Sequence, residues 1–124
     1  MAFYLRGIHT PHRKNTLKQP TVRMAAPQFV TIPMAMHIGK PAIPTVKVGD
    51  PVMVGTKIGE ADGQISANVY SSVSGKVTKI SEYLQYSGVS VPSVLIESDG
   101  EMAVDPSICP PVVETREDLI AAIS

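Results

Sequence analysis

Val46-Lys47-Val48-Gly49-Asp50-Pro51-Val52-Met53-Val54-Gly55 is the stretch on which the fold turns. Two short β-branched runs flank a Gly-Asp-Pro turn, the pattern of an extended chain that reverses sharply. Working outward, the same texture recurs: Phe29-Val30-Thr31-Ile32 upstream, then Thr56-Lys57-Ile58, Ile65 to Val69, Lys76-Val77-Thr78-Lys79-Ile80 and Val91 to Glu97. Turn signals punctuate the runs at Val48-Gly49-Asp50-Pro51, Asp62-Gly63, Ser74-Gly75 and Asp99-Gly100. Strands this short, separated by Gly and Asp, predict a small β barrel or sandwich.

Three segments follow. Residues 1–27 read as an extended basic arm, interrupted by Pro11, Pro20 and Pro27; residues 28–104 form the β domain. Residues 105–124 form a Pro-containing linker and a short C-terminal helix leading toward a further domain. Thr115-Arg116-Glu117-Asp118 has the form of a capping box, with Asp in place of the usual Glu or Gln. Leu119, Ile120 and Ile123 then make an apolar stripe that needs a surface to pack on.

Composition bounds the chemistry. Eleven prolines in 124 residues exclude an all-helical fold, because proline breaks helix interiors. No apolar run approaches the roughly 18 residues of a membrane span, and the start has no secretory signal pattern, so the cytoplasm is the expected compartment. A single cysteine, Cys109, forms no internal disulfide and falls short of the thiolates an iron–sulfur cluster takes. Net charge is zero but divided: residues 1–49 carry seven basic residues and no acid, while residues 50–124 hold all 11 acids with four basic residues. With no Trp and six aromatics, that basic stretch points away from nucleic acid. It is expected to lie across the acidic half or against an acidic partner.

Candidate chemical residues each have a simpler reading. His9, His12 and His37 do not complete a tetrahedral metal site, and a ring nitrogen bonded to backbone in a turn accounts for His37. Cys109 lacks a local base. Glu60, Asp62, Glu97 and Asp99 beside Gly63 and Gly100 read as turn chemistry rather than a paired-carboxylate hydrolase. Met34 and Met36 alternate near Ile32 and Ile38, which predicts a face buried against a partner domain. No catalytic, cofactor-binding or metal-ligating residue is assigned.

Organisation is clearest in an internal repeat. Glu60-Ala61-Asp62-Gly63 recurs as Glu97-Ser98-Asp99-Gly100 at an offset of 37, and Gly39-Lys40 recurs as Gly75-Lys76 at an offset of 36. Two pseudo-symmetric β halves follow, each unable to bury its apolar face without the other. A duplicated β unit carrying Val46 to Gly55 resembles the barrel-sandwich hybrid of biotinyl and lipoyl carrier domains, in which a hairpin lysine holds the prosthetic group. That resemblance places the hairpin apex at Gly63-Gln64. Gln64 offers a carboxamide where acylation needs a primary amine, and Lys57 and Lys76 fall at strand ends, so no covalent biotin or lipoate is expected.

Further motifs are similar to the N-terminal region of the C subunit of Rnf-type electron-transport complexes. They are Gly7-Ile8-His9, Val30-Thr31-Ile32-Pro33, His37-Ile38-Gly39-Lys40-Pro41-Ala42, Ile58 to Gly63, Ser71 to Val77 and Ile96 to Gly100. This resemblance implies a non-catalytic docking platform for flavin- and NAD-binding and iron–sulfur domains, on the inner face of the cell membrane, with other subunits as partners. It implies FMN, NAD and iron–sulfur clusters for downstream domains and none for this chain. The alternative is a stand-alone, cofactor-free interaction module of the biotinyl/lipoyl type; a carrier using Lys57 or Lys76 is a third reading.

Overall fold

The structure is a computed structural model that describes residues 11–123. Residues 11–28 contain no strand or helix, and all but Pro27 are exposed; His9, within 1–10, lies outside the described residues. The β elements then run β1 (Phe29–Pro33), β2 (Ile43–Pro44), β3 (Pro51–Val52), β4 (Lys57–Glu60), β5 (Val69–Tyr70), β6 (Gly75–Leu84) and β7 (Ser90–Ser98). The helix α1 spans Arg116–Ile123.

The strands form two antiparallel sheets, one in the order β1-β7-β6-β3 and the other β2-β4-β5. Together they curl into a barrel-sandwich hybrid. A shift of 37 residues carries β4 into β7 and β1 onto the segment containing β5, and a shift of 36 carries β2 into β6. Each half therefore pairs internally, β2 with β4 and β6 with β7. The two halves also exchange strands: β1 of the first pairs with β7 of the second, and β5 of the second pairs with β4 of the first.

Six of the seven strands contribute to the single core, through Ile32, Val52, Ile58, Val69, Val77, Val94 and Ile96. Met34 closes it at 0% exposure. That corrects the expectation for the methionine pair. Met34 lies just past the end of β1, inside this chain's own core against Gly59, while Met36 is exposed. Alternation continued past Pro33, but the partner of the inward face is the second sheet.

Buried polar groups are satisfied. The hydroxyls of Ser71, Ser74 and Ser93 donate to Val73 O (2.7 Å), Asp99 Oδ1 (2.6 Å) and Ser81 O (2.7 Å), as burial requires.

One expected strand, Thr45 to Val48, is absent, and another, Ile65 to Val69, survives only at Val69, which opens β5. Thr45 to Val48 is irregular because Lys47 N–H donates to Asp50 Oδ2 at 2.8 Å and Asp50 N–H to Lys47 O at 3.1 Å, which draws the turn back over Lys47. Ile65 to Ala67 lies in the β4–β5 loop, where Ile65 O accepts from Lys40 N–H at 2.9 Å. Gly75, expected in a turn, opens β6. The reversal between β6 and β7 is instead closed by Gly88 N–H to Gln85 O and Gln85 N–H to Val89 O, both 2.9 Å.

Beyond β7 the chain stays on the body. Val54 N–H donates to Ala103 O (2.8 Å), Asp105 N–H to Val54 O (2.9 Å), and Thr56 Oγ1 to Asp105 Oδ2 (2.7 Å). Ile108 then packs over Gly55, in the space a side chain there would occupy. At α1 the capping box forms: Asp118 N–H donates to Thr115 Oγ1 (3.1 Å) and Thr115 N–H to Asp118 Oδ2 (2.9 Å). Leu119 and Ile120 remain about half exposed.

Candidate functional site

The loop joining β4 to β5 is the position at which the carrier resemblance would set a prosthetic group. Its order comes from the segment after β1. Gly39 lies so close to Ile65 O that a Cβ there would approach it to 2.0 Å. Lys40 Nζ forms an ion pair with Asp62, and Ser66 Oγ donates to Lys40 O at 2.9 Å while accepting from Asp62 N–H at 3.1 Å. Ala61 N–H donates to Asn68 Oδ1 at 2.9 Å, spanning the base of the loop.

His37 belongs to this clamp. Its Nδ1 lies 3.2 Å from Ile38 O and its Nε2 accepts from Ala67 N–H at 3.4 Å. Both bonds together require the Nδ1–H tautomer, with Nε2 unprotonated. A structural role in backbone bonding accounts for the residue.

At the loop's centre Gln64 is exposed, and its amide nitrogen has no nucleophilic lone pair for acyl transfer. Neither flanking lysine takes its place. Lys57, the first residue of β4, is paired with Glu60 at 3.0 Å. Lys76 is the second residue of β6, in register with Glu97. The acidic repeat is used locally: Asp62 on Lys40, Glu60 on Lys57, and Asp99 on the Ser74 hydroxyl and Glu101 N–H. No cluster of three or more His, Cys, Asp or Glu able to hold a metal occurs among the described residues.

Hydrogen bonding shifts three carboxyls. The Ser74 hydroxyl, then the Glu101 amide, hold Asp99 below the usual carboxylate range; the Ser107 hydroxyl and amide and the Thr56 hydroxyl do the same for Asp105. Thr115 lowers Asp118 at the helix cap. A carboxyl lowered in the folded state contributes stability above its unfolded value of about 3.9 and loses it as pH falls through the folded value. Thermal unfolding midpoints are therefore expected to hold between neutrality and about pH 5 and to decline below about pH 4. The double variant Asp99→Asn, Asp105→Asn should start lower at neutral pH and show a shallower acid decline. An unchanged acid slope would remove these two bonds from the account.

A second surface feature, a groove of about 810 Å³, runs between residues 23–27 and β1, and Met24, Phe29, Val73 and Met102 give it an apolar lining. The described part of the basic arm, residues 11–27, forms no ion pair with the acidic half. Among the described residues Arg13, Lys14, Lys18 and Arg23 form none, and Lys40–Asp62 is the link between the basic and acidic halves. Those four charged residues lie in chain without strand or helix and are exposed.

The family model described as the RnfC barrel sandwich hybrid domain matches residues 3–101. This chain belongs to that family. RnfC relatives carry the likeness into several organisms. The C subunit of the Na(+)-translocating ferredoxin:NAD(+) oxidoreductase complex of Acetobacterium woodii is 47% identical over 116 residues, covering 93% of this chain and 26% of that protein. The proton-translocating counterpart of Clostridium ljungdahlii is 38% identical, over 77% of this chain and 21% of that protein. The C subunit of the ion-translocating oxidoreductase complex of Pseudomonas aeruginosa is 34% identical, over 76% and 12%. The RnfC domain described here thus spans about a quarter or less of these relatives' length.

Among the described residues of this RnfC domain the donors fit neither an iron–sulfur cluster nor a dinucleotide phosphate. Its one thiol, Cys109, is exposed in the segment before α1. Nor does a glycine-rich strand-to-helix loop, the cradle a dinucleotide phosphate uses, precede α1, where the residues are Val112-Val113-Glu114-Thr115. No helix among the described residues is long and apolar enough to cross a membrane.

Proposed function

We propose that this domain is a non-catalytic docking platform within the RnfC subunit of an ion-translocating ferredoxin:NAD oxidoreductase complex. The observation that carries the reading is the RnfC family match over residues 3–101, on a domain whose described residues bring together no cluster of three or more His, Cys, Asp or Glu able to hold a metal. In this reading FMN, NAD and the iron–sulfur clusters belong to other segments of the parent protein, which sits peripherally on the cytoplasmic face of the membrane. The barrel supplies position. Electron tunnelling weakens with distance, so a displaced platform slows transfer without altering any cofactor.

Deleting residues 28–104 from the full-length protein, in its host, separates position from cofactor assembly. Flavin and iron bound to the protein should persist, while ferredoxin-dependent NAD reduction by membranes should fall about tenfold or more, as when a central binding anchor is lost. Unchanged activity overturns the reading; loss of flavin and iron would replace it with a folding role.

A second reading, a stand-alone interaction module, is favoured by the exposed basic residues Arg13, Lys14, Lys18 and Arg23. Its partner would be acidic, and its affinity would fall steeply with ionic strength.

A further inference from the structure

We propose that the end of the barrel built from residues 34–42, 61–68 and 84–90 is a preformed docking face for an uncharged, apolar surface on another protein of the complex. The proposal rests on the docking reading above and names the site and the chemistry of its partner.

Three loops distant in sequence meet at this end. Met36, Ile38, Ile65 and Tyr86 all stand exposed there, Ile38 at 88% and Tyr86 fully. They are contiguous. Met36, Ile38 and Tyr86 border one cavity of about 460 Å³, and Ile65 packs against Gly39, the neighbour of Ile38. A cluster of large apolar side chains in water is uncommon on a domain that acts alone and marks an interaction site.

The face is built rather than loose. Gln85 Nε2 donates to Ala35 O at 2.7 Å, tying the β6–β7 turn to the segment after β1. Lys40 N–H to Ile65 O and Ala67 N–H to His37 tie the β4–β5 loop to that same segment. Loops already held by cross-links lose less freedom on binding, so more of the contact energy appears as affinity.

Charge selects the partner. Across these three segments the only Lys, Arg, Asp or Glu residues are Lys40 and Asp62, and they pair with each other. An anionic lipid surface is attracted by unpaired basic residues, and an acidic peptide by the same; this end offers neither. A neutral apolar protein surface meets no uncompensated charge here.

The test uses the full-length protein, tagged in its native host, with Ile38→Glu and, independently, the milder Tyr86→Ser. Both side chains are exposed, and thermal unfolding of each variant checks that the fold is kept. The readout is the amount of the membrane-embedded subunits of the same complex that co-purify, identified by mass spectrometry. Val22→Glu, exposed on the arm, is the control. The tip variants should lose about tenfold or more of those subunits, the control should lose none, and wild-type retention should survive a rise from about 0.05 to about 0.5 M salt.

Full retention in both tip variants overturns the proposal while leaving the docking reading in place. Absence of the other subunits from the wild-type preparation overturns both. Self-association of the wild-type protein that Ile38→Glu abolishes would assign the face to a second copy. Binding to vesicles containing phosphatidylserine that Ile38→Glu abolishes would assign it to lipid.

Discussion

Expressed separately, residues 1–63 and 64–124 should each remain unfolded, and mixing them should restore the native barrel. The cut falls between Gly63 and Gln64, in the exposed β4–β5 loop, and removes no core side chain. What it separates is pairing. The first fragment holds β1, β3 and β4, whose partners β7, β6 and β5 all lie in the second. It retains only the two-residue ladder of β2 with β4. The second fragment retains the β6–β7 hairpin, and an isolated two-stranded hairpin is marginal in water. Core residues divide the same way: Ile32, Met34, Val52 and Ile58 face Val69, Val77, Val94 and Ile96 across the cut. Far-ultraviolet circular dichroism and amide proton dispersion should show disorder in each fragment alone and a cooperative transition in the mixture. Cooperative unfolding of either fragment by itself would mean that the strand exchange is dispensable.

That exchange also marks the limit of what the residues reveal unaided. Duplication was legible, because Glu-x-Asp-Gly and Gly-Lys recur as strings at nearly one offset. Which strand pairs with which was not, since Val30 opposite Ile96 is a contact between distant positions that leaves no local pattern. Local signals misled where a side chain captured the backbone. Thr45 to Val48 has strand composition, but the Asp50 carboxylate takes Lys47 N–H and makes a turn. Gly88, beside Tyr86 and Ser87, closes the longest hairpin, yet it lacks the flanking Asn or Asp that makes a turn stand out.

The candidate site divides similarly. Gln64 was legible through the carrier resemblance, which places it at the hairpin apex, and there an amide stands where acylation needs an amine. The apolar end was not. Ile38 reads, beside Met36, as part of a run turned toward a partner, but Ile65 and Tyr86 come from two other loops and each looks like an ordinary isolated hydrophobic in its own stretch. The Gly39 contact with Ile65, the bonds of Lys40 N–H to Ile65 O and Ala67 N–H to His37, and the Gln85 bond to Ala35 bring them to one place.

Gly75→Ala should be among the most damaging single substitutions in the chain. Gly75 adopts φ +150°, where an L side chain is strained, and a Cβ built there meets Glu97 O at 2.0 Å, with Glu97 C and Ser98 Cα at 2.9 Å. All three atoms are backbone of β7, which is held between β6 and β1. Relief by rotamer change is therefore unavailable, and β7 would have to leave its ladder. Backbone strain of about 1–3 kcal/mol and an overpacking cost of similar size together predict a loss of roughly 2–6 kcal/mol. At about 4–8 °C per kcal/mol for a small domain, the midpoint should fall by roughly 10 °C or more.

Gly100→Ala isolates the conformational part, since Gly100 has φ +78° with nothing within 4 Å of the added carbon. It should cost about 1–2 kcal/mol. Gly39 is the counterpart of Gly75 in the first half, and its missing Cβ faces Ile65 O at the same 2.0 Å. There the opposing carbonyl belongs to a loop outside any ladder, so Gly39→Ala should fall between the other two. This ordering gives the repeated Gly-Lys a physical cause: in both halves the chain passes a carbonyl more closely than any side chain allows. Equal losses at Gly75 and Gly100 would reduce that cause to φ alone.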